Sequence, residues 1–550
     1  MIVEQILIAI VTALWFIRSL KSFFSWLYII QIKEYKLIRL SDYFTTDKGK
    51  ASIVNPLNGI KLLVLIALIL SAINKISILI WPSAIIIGLI YFVESAIFLL
   101  RIFKKSFNFP RITHKAALIT LIGYSLIAVL AHSAISYKFN FIWLLILLGG
   151  DLLIILIALA STFIIFPFSE LIKKRVMKKA EKERWSLNKM LTIGVAGSYG
   201  KTSTKEFIAE LLSSKFKVDR TKENQNTEMA ISNFILKGLN KNSEIFIAEM
   251  GAYVKGEIKL IANIVKPKIA VITGANEQHL ALFGDMDNLL SAEGGKELVD
   301  SLPKNGLAIF NGNNIYAENL YKETNLSKII TYSYFNPTST VEFEPDVWAK
   351  NIKMDKTSIS FDVFSKKYRD GKNFRLNLTG SFFIENVLLS IATAESLGVG
   401  MDKIYEAAKN IDDKMTGIKH IKNADGVNII KSTYSSNPDA VKRHLEYLKE
   451  AWRGSKKVFV MQPIIELGDA SPKIHREIGM AIGRTCDLAI VTGRDNLKNI
   501  QEGAGIAHKD KIIYSEKPEE IAEILDKNVS IGDVVFLEGR IRENIINAIQ

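Results

Sequence analysis

Residues 191–205 read LTIGVAGSYGKTSTK, and this stretch decides the fold of the chain around it. An apolar, β-rich run leads into a glycine-rich turn, and a helical pattern follows from Lys201 to Leu212. Glycines in such a turn let backbone amides point at phosphate oxygens, and the helix N-terminus adds its dipole. The pattern therefore predicts a phosphate-binding loop. The residues expected to contact the phosphates and the rest of the nucleotide there are Gly197, Ser198, Tyr199, Gly200, Lys201, Thr202 and Ser203.

Two side chains of this loop carry the chemistry that a nucleoside triphosphate requires. We expect Lys201 to neutralise the β- and γ-phosphates and the Thr202 hydroxyl to hold Mg²⁺. The ordinary pattern G-x-x-x-x-G-K-[ST] does not apply, because Val195 stands where its first glycine belongs. The spacing is instead G-x-x-G-x-x-G-K-T-S.

This variant spacing resembles the phosphate loop of the Mur ligases, ATP-dependent amide-forming enzymes, and of their folylpolyglutamate synthetase relatives. Further motifs continue the resemblance in the family's order over about residues 190–540, and they fit the UDP-N-acetylmuramoyl-tripeptide–D-alanyl-D-alanine ligase branch best. These motifs are Asn226-Thr227-Glu228, Glu249-Met250-Gly251, His279, Asn386, Tyr434 with Asn437-Pro438, and Glu466-Leu467-Gly468 with His475.

The resemblance implies catalytic roles for Lys201, His279 and one further residue. In the family, a lysine that becomes carbamylated bridges the metals about fourteen residues beyond that histidine. The count lands on Glu293, which would supply a permanent carboxylate, and Lys296 in a shifted register is the rival. The implied Mg²⁺ ligands are Thr202, Glu249, His279 and Glu293.

The resemblance also implies where the nucleotide base and the other substrate bind. Asn386 and Lys419 are expected on the base side of ATP. The expected substrate contacts are Asn226, Thr227, Tyr434 and Asn437. A hinge at residues 412–416 would let the last domain close over the central one.

Other positions depart from the family pattern. Phe382-Phe383 replaces His-Asn, and Lys431-Ser432 replaces Asp-Asp. Ile418-Lys419 stands in place of an arginine expected near Gly417, and Glu538-Gly539-Arg540 replaces Lys-Gly-Ser. The family's UDP-sugar-binding domain, normally ahead of the phosphate loop, is also missing. These changes leave the phosphate chemistry in place and weaken the assignment of an exact substrate.

The first third of the chain has a different character. Hydrophobic residues make up 49% of the sequence, mean hydropathy is +0.19, and a membrane-spanning helix needs about 20 mostly apolar residues. Five segments approach or exceed that length, at residues 2–17, 56–73, 76–100, 116–135 and 141–166. We therefore expect an α-helical membrane domain followed by α/β domains. The expected units are a membrane domain (1–170), a basic juxtamembrane linker (171–189), a central P-loop ATPase-like Mur ligase domain (190–412) and a Rossmann-like C-terminal domain (413–550).

Charge indicates the orientation of these spans. The formal net charge is 70 − 56 = +14, and the basic residues near the spans concentrate at 18–59, 101–115 and 173–182. The positive-inside bias places these stretches in the cytoplasm and the N-terminus outside, so the catalytic domains would be cytoplasmic at the plasma membrane. Residues 26–40 fit a helix on the lipid headgroups or one packed on its neighbours. For Glu94 and Asp151 we expect snorkelling or a buried hydrogen bond and assign no transport function.

Three functions remain open from the sequence. The first is a ligase that adds D-alanyl-D-alanine or a similar amine to a cell-wall precursor of the muramoyl-peptide type. The second is a ligase for another envelope polymer, resembling poly-γ-glutamate synthetases, and the third is a non-catalytic ATP-binding scaffold. The expected partners are ATP, Mg²⁺, the envelope substrate and membrane lipid, with no nucleic acid, because no aromatic-basic stacking platform is present. The oligomeric state stays open.

Overall fold

The computed structural model describes residues 2–74, 77–223, 225–335, 343–433 and 436–549. The chain divides into two compact units, Met1–Lys174 and Arg175–Gln550. The boundary lies inside one helix, Ile154–Ser186. The stretch expected to be a linker is therefore helical as far as Ser186.

The first unit is built from helices. They are α1 (Ile2–Ile32), α2 (Leu37–Thr45), α3 (Asp47–Ile53), α4 (Pro56–Ile73), α5 (Ile80–Phe103), α6 (His114–Ser136), α7 (Phe141–Leu152) and the start of α8 (Ile154–Ser186). Within the described residues, five helical stretches are long and apolar enough to cross a membrane, namely Ile2–Ile32, Asp47–Ile73, Ile80–Phe103, His114–Ser136 and Ile154–Ser186.

Two helices differ from the expected spans. The first span, expected to end at residue 17, continues to Ile32, because Trp26, Leu27 and Ile30 are buried among the other helices of this unit. In the first part of residues 26–40 the helix therefore packs on its neighbours, which was one of the two expected alternatives. The expected span at 141–166 is interrupted at Leu153, between α7 and α8.

Four charged side chains from four helices meet inside this unit. Lys61 Nζ lies 2.5 Å from Glu94 Oε2 and 2.9 Å from Asp151 Oδ2. Arg18 pairs with the same two carboxylates, with Nε at 3.2 Å from Glu94 Oε2. All four side chains are buried. Glu94 and Asp151 are thus neutralised by ion pairs in the interior, which agrees with the buried alternative and not with snorkelling.

The second unit begins with a nine-stranded sheet. Its strands are β1 (Leu191–Ala196), β2 (Val218–Arg220), β3 (Ile245–Glu249), β4 (Ile269–Ile272), β5 (Leu307–Asn311), β6 (Ser327–Ser333), β7 (Val347–Met354), β8 (Ile359–Ser365) and β9 (Lys372–Leu376). The order is β2-β3-β1-β4-β5-β6-β7-β8-β9, parallel as far as β7 and antiparallel beyond it. The helices are α9 (Lys201–Ser213), α10 (Glu228–Lys237), α11 (Glu257–Val265), α12 (Leu280–Phe283), α13 (Met286–Ser291), α14 (Lys296–Asp300), α15 (Ile315–Glu323), α16 (Phe383–Ser396) and α17 (Met401–Ala408).

A six-stranded sheet follows. Its strands are β10 (Lys419–Lys422), β11 (Asn428–Ser432), β12 (Lys457–Met461), β13 (Leu488–Val491), β14 (Ile512–Tyr514) and β15 (Val534–Glu538), in the order β10-β11-β15-β12-β13-β14. Only β10 is antiparallel to its neighbour among these described strands. The helices are α18 (Pro438–Ala451), α19 (Ser471–Thr485), α20 (Leu497–Ala504), α21 (Pro518–Asn528) and α22 (Glu543–Ile549). Two α/β domains after a helical region confirm the predicted fold class.

The topology brings the predicted site together. Strand β1 pairs in parallel with β3 on one side and β4 on the other. The carboxyl ends of parallel strands meet at one edge of a sheet, which is where ligands bind in such folds. The phosphate loop, Glu249 and the segment after Ile272 therefore share one edge.

Candidate active site

The phosphate loop has a conformation that only glycine permits at two positions. Gly197 and Gly200 have φ angles of 147° and 72°, in the region that side chains rarely adopt. A Cβ on Gly197 would lie 1.9 Å from Thr273 Oγ1, and one on Gly200 would lie 2.8 Å from Asn386 Oδ1. The same contact places Asn386, expected on the base side of ATP, directly against the loop.

Lys201 is folded onto its own loop. Its Nζ donates to the carbonyl oxygen of Gly197 at 2.5 Å. Thr273 Oγ1 in turn donates to the carbonyl oxygen of Tyr199 at 2.5 Å, which ties the loop to the end of β4. The loop is thus already folded without a nucleotide. The Lys201 ammonium group is bonded to a carbonyl oxygen that an incoming phosphate would replace.

Glu249, the last residue of β3, is the first of two buried carboxylates beside the loop. Its Oε2 accepts hydrogen bonds from Thr202 Oγ1 at 3.0 Å and from Lys205 Nζ at 3.2 Å. Its Oε1 accepts one from Asn226 Nδ2 at 3.1 Å. Lys205, whose side chain is 0% exposed, has no role predicted from the sequence. Asn226 reaches this carboxylate, and Thr227 caps α10; their substrate contacts stay predictions.

Glu293 is the second carboxylate. Its Oε1 lies 3.0 Å from His279 Nδ1, and its Oε2 accepts a hydrogen bond from Ser198 Oγ at 3.1 Å. Burial raises the pKa of Glu293, but the charge of His279 and the hydrogen bonds outweigh burial and hold that pKa below its usual value. Lys296 points elsewhere, since its side chain is 51% exposed and its Nζ lies 3.8 Å from Asp300 Oδ2. The structure therefore brings Glu293, not Lys296, to His279.

The C-terminal domain contacts the segment after β4. Asn276 Nδ2 donates to Asn437 Oδ1 at 3.1 Å and to Asp439 Oδ2 at 2.9 Å. Gln278 Nε2 donates to the carbonyl oxygen of Ser436 at 3.1 Å. Asn437 also caps α18. Its substrate contact stays a prediction, and Tyr434 lies outside the described residues.

A second link between the domains is an ion pair that no local sequence pattern indicates. Arg443 of α18 lies 2.6 Å from Glu385 Oε1 of α16. Glu385 Oε2 accepts a hydrogen bond from Asn311 Nδ2 at 2.8 Å. The ion pair therefore joins the start of α16, one residue before Asn386, to the C-terminal domain.

Two departures from the family pattern meet at one histidine. His444 Nδ1 lies 2.6 Å from Glu538 Oε2, and both side chains are buried. The ring of Phe382 packs edge-on against His444, with centroids 4.8 Å apart. The substituted residues Phe382 and Glu538 thus form one consistent contact, and His444 supplies the partner that a buried carboxylate needs.

A cavity of about 760 Å³ opens beside Thr202. The hinge region and the first strands of the C-terminal domain line it, including Lys419 and Lys431. These two lysines are direct cross-strand neighbours in β10 and β11. Burial lowers the pKa of Lys431, against the opposing charge of Glu543 on the same wall. The cavity is large enough for a nucleotide and contains the predicted ATP contact Lys419.

The donor set beside the loop fits Mg²⁺ when the phosphate oxygens of a substrate are counted. Within the described ranges, no group of three or more His, Cys, Asp and Glu side chains could hold a metal unaided. Mg²⁺ commonly uses one or two carboxylates together with substrate phosphates and water. Thr202, Glu249 and Glu293 offer a hydroxyl and two buried carboxylates at the loop.

Comparison with known proteins finds one family over both α/β domains. Residues 195–394 match the Mur ligase middle domain, and residues 418–541 match the Mur ligase glutamate ligase domain at the C-terminus. A UDP-N-acetylmuramoyl-tripeptide–D-alanyl-D-alanine ligase of Bacillus subtilis is 26% identical over 351 residues, covering 63% of this chain and 72% of that protein. The ligase of the same name from Synechocystis is 28% identical over 290 residues, covering 53% and 59% respectively.

Solved structures show the same fold. A crystal structure of MurF from Acinetobacter baumannii aligns with a TM-score of 0.60 at 22% identity, over 68% of this chain and 80% of that one. The MurF ligase of Thermotoga maritima in complex with ADP aligns with a TM-score of 0.59 at 23% identity, over 68% and 83%. With both catalytic domains matched in order and their fold reproduced, the chain belongs to the Mur ligase family.

Proposed function

We propose that this chain is a membrane-anchored, ATP-dependent and ADP-forming ligase that adds D-alanyl-D-alanine, or a similar amine, to a muramoyl-peptide precursor. The observation that carries this proposal is the pair of buried carboxylates, Glu249 and Glu293, on either side of a preformed phosphate loop. The relatives named for that reaction support the choice of substrates.

The reaction proposed has two steps. A carboxylate oxygen of the precursor attacks the γ-phosphorus of ATP, the bond to the bridging oxygen of ADP breaks, and an acyl phosphate forms. The amine nitrogen then attacks the acyl carbon and loses a proton. The tetrahedral intermediate expels inorganic phosphate and leaves an amide.

Each residue at the loop has a role in this scheme. Lys201 would leave the Gly197 carbonyl and follow the charge that moves with the phosphoryl group. Thr202 and Glu249 would hold Mg²⁺ on one side, and Glu293 with His279 on the other. Bound there, Mg²⁺ supplies charge neutralisation as the phosphoryl group moves. Lys205 donates a hydrogen bond to the Glu249 carboxylate and orients it in the interior.

Acyl phosphates hydrolyse, so the site has to exclude water during the reaction. The hydrogen bonds of Asn276 and Gln278 to the C-terminal domain support a closed arrangement over the loop. At the hinge, Asp413 accepts hydrogen bonds from both the amide and the hydroxyl of Thr379. We propose that this contact fixes the pivot about which the C-terminal domain opens for product release.

We propose that the first unit is an integral membrane anchor in the plasma membrane. Five helical stretches of sufficient length and apolarity support it, and the basic loops favour an outside N-terminus with cytoplasmic catalytic domains. That location gives the site access to cytoplasmic ATP.

One observation favours a second candidate function. A helical unit stands ahead of the phosphate loop, where the family carries its UDP-sugar domain, and poly-γ-glutamate synthetases also combine a membrane segment with this ATP fold. A ligase that extends a membrane-linked polymer is therefore the alternative, and a non-catalytic scaffold is the other outcome of the test.

The test uses membranes containing the full chain. UDP-N-acetylmuramoyl-tripeptide, D-alanyl-D-alanine, ATP and Mg²⁺ are supplied together and singly, and ADP and the product mass are measured. We expect ADP release that requires both acceptor and amine, is lost in Lys201→Ala, and persists in Lys304→Ala, an exposed lysine. ADP release that instead requires a glutamate acceptor would favour the polymer ligase. No acceptor-dependent release with any substrate would leave the scaffold.

A further inference from the structure

A loop of the C-terminal domain reaches the predicted catalytic histidine. Residues 462–468 connect β12 to the region before α19, and they carry Glu466. Glu466 Oε2 lies 3.7 Å from His279 Nε2, and its backbone carbonyl accepts a hydrogen bond from the amide of Ala281 at 3.1 Å. Glu466 is buried although it comes from the opposite domain. Both its side chain and its backbone are thus directed at the segment that carries His279.

The loop is held in this shape from its own domain. The ring of His475 accepts a hydrogen bond at Nε2 from the amide of Ile464 at 3.1 Å, and its Nδ1 donates to the carbonyl oxygen of Ser471 at 2.8 Å. Leu467 is fully packed, and Gly468 passes close to Ala281. The loop therefore presents Glu466 as a fixed group and not as a freely moving side chain.

Both partners of this contact have strained backbones. Glu466 has a φ angle of 68° and His279 one of 67°. Non-glycine residues in this left-handed region are strained and persist where the surroundings determine them, often at functional sites. Here the strain falls on the two residues that meet across the domain boundary.

His279 consequently lies between two carboxylates from different domains. Its Nδ1 faces Glu293 of the central domain at 3.0 Å, and its Nε2 faces Glu466 of the C-terminal domain. The ring of Tyr253 packs edge-on against it, with centroids 5.6 Å apart. The flanking residues Asn276 and Gln278 are hydrogen-bonded to the C-terminal domain as well.

We infer that Glu466 is a positioning residue that completes the orientation of His279 only when the C-terminal domain is closed. This inference rests on the proposed function, and it adds the coupling between closure and phosphoryl transfer. In the open state His279 keeps one carboxylate partner, Glu293. Closure adds Glu466 on the Nε2 side of the ring and restricts its orientation further. Phosphoryl transfer from ATP then occurs only when the closed conformation that excludes water has formed.

The kinetic test compares Glu466→Ala, Glu466→Gln and Glu466→Asp in the full chain. We expect Glu466→Ala to lower kcat on the order of 10- to 100-fold, as loss of an orienting partner does, with the KM for ATP nearly unchanged. Glu466→Asp should recover part of kcat. Glu502→Gln, a surface glutamate of the same domain paired with Arg476, is the matched control and should behave as the parent. An unchanged kcat in Glu466→Ala and Glu466→Gln would overturn the inference.

A double-mutant cycle separates positioning from a general structural effect. If Glu466 acts through His279, adding Glu466→Gln to His279→Ala should cause little further loss of kcat. Losses that simply multiply would show that Glu466 acts independently and would contradict the inference. Glu466→Gln keeps the size of the side chain, so it remains informative if Glu466→Ala does not fold.

A measurement that requires no turnover distinguishes failure of this inference from failure of the proposed function. Amide hydrogen exchange of the peptide 276–283 is measured with a non-hydrolysable ATP analogue and Mg²⁺. We expect the nucleotide to protect this peptide in the parent and in Glu502→Gln, and to protect it much less in Glu466→Gln. Equal protection would overturn the inference even if the enzyme were active. Protection that depends on Glu466, in a chain without ligase activity, would instead overturn the proposed function alone.

Discussion

Glu293 Oε1 and His279 Nδ1 lie 3.0 Å apart at the edge of the phosphate loop. The resemblance to the Mur ligases implies, at about this position, a lysine that needs CO₂ to become a carboxylate. Here a glutamate is 2% exposed, held by Ser198 as well as His279, with its pKa below the usual value. The carboxylate is therefore part of the polypeptide itself.

This relationship predicts that activity is independent of CO₂. We expect ADP release to be the same in CO₂-depleted and bicarbonate-supplemented buffer. Glu293→Gln should lower kcat on the order of 100-fold without rescue by bicarbonate, and Lys296→Ala should leave kcat unchanged. Activity that rises with bicarbonate and disappears in Lys296→Ala would assign the role to Lys296 instead.

Lys205 is predicted to be a structural requirement of the metal site. Its ammonium group is the buried cation nearest to Glu249 among the described contacts. Removing one partner of a buried ion pair leaves an uncompensated charge and costs roughly 3 kcal/mol or more. We expect Lys205→Met to lower the thermal midpoint of the full chain and to weaken Mg²⁺-dependent nucleotide binding. Lys304→Met is the exposed control. A Lys205→Met protein as stable as the parent would contradict this role.

The ion pairs inside the helical unit predict a compensating double substitution. Lys61→Met leaves Glu94 and Asp151 with Arg18 as their buried cation and with Lys21 at 4.0 Å from Glu94, so we expect a loss of roughly 3 kcal/mol in stability. Lys61→Met combined with Asp151→Asn removes one charge of each sign, and should recover most of that loss. Thermal unfolding in detergent measures both, with Lys50→Met as the exposed control. A double variant less stable than Lys61→Met alone would show that the cluster is not balanced by charge.

His475 predicts a pH dependence of stability. Burial lowers the pKa of His475, outweighing its hydrogen bond to Ser471 and the charge of Asp495. As the pH falls, the His475 side chain therefore binds a proton near pH 6.5 in the unfolded chain, but only at a lower pH in the folded chain. The contribution of neutral His475 to the free energy of unfolding is therefore complete above about pH 6.5. It is lost as the pH falls toward the pKa of the folded chain, by at most about 1.4 kcal/mol per pH unit.

The measurement for this prediction is the thermal midpoint between pH 7.5 and 5. We expect His475→Gln to show a smaller decrease than the parent over that interval. The pKa of His420 is also lowered by burial, so part of the dependence should remain in His475→Gln. A slope in His475→Gln equal to that of the parent would contradict the assignment.

Local features of the active site could be predicted from the sequence because their signals are local. The phosphate loop is a contiguous pattern, Glu249 directly follows a strand, and Glu293 was reached by counting from His279. Lys205 was missed, since a lysine in the first turns of a helix ordinarily faces solvent. Its burial follows from packing between α9 and the rest of the central domain, which no local pattern indicates.

Contacts between distant segments could not be predicted. Glu466 and His279 are far apart in sequence, and so are Arg443 and Glu385; their pairing depends on how two domains meet. The same holds for Lys61, which lies in an apolar run and finds its partners on other helices. One sequence feature, Gly149-Gly150, lies close to the helix interruption at Leu153. In the structure the ring of Trp15 packs close to Gly150.

We propose that a substrate carboxylate receives the γ-phosphoryl group of ATP at the loop around Lys201. The most direct measurement supplies membranes of the full chain with UDP-N-acetylmuramoyl-tripeptide carrying ¹⁸O in its carboxylates, together with D-alanyl-D-alanine, ATP and Mg²⁺. An acyl phosphate transfers one labelled oxygen to each inorganic phosphate released, so we expect ¹⁸O-phosphate in step with amide formation and none from Lys201→Ala. Phosphate released without the label, or label transfer that survives in Lys201→Ala, would contradict this mechanism.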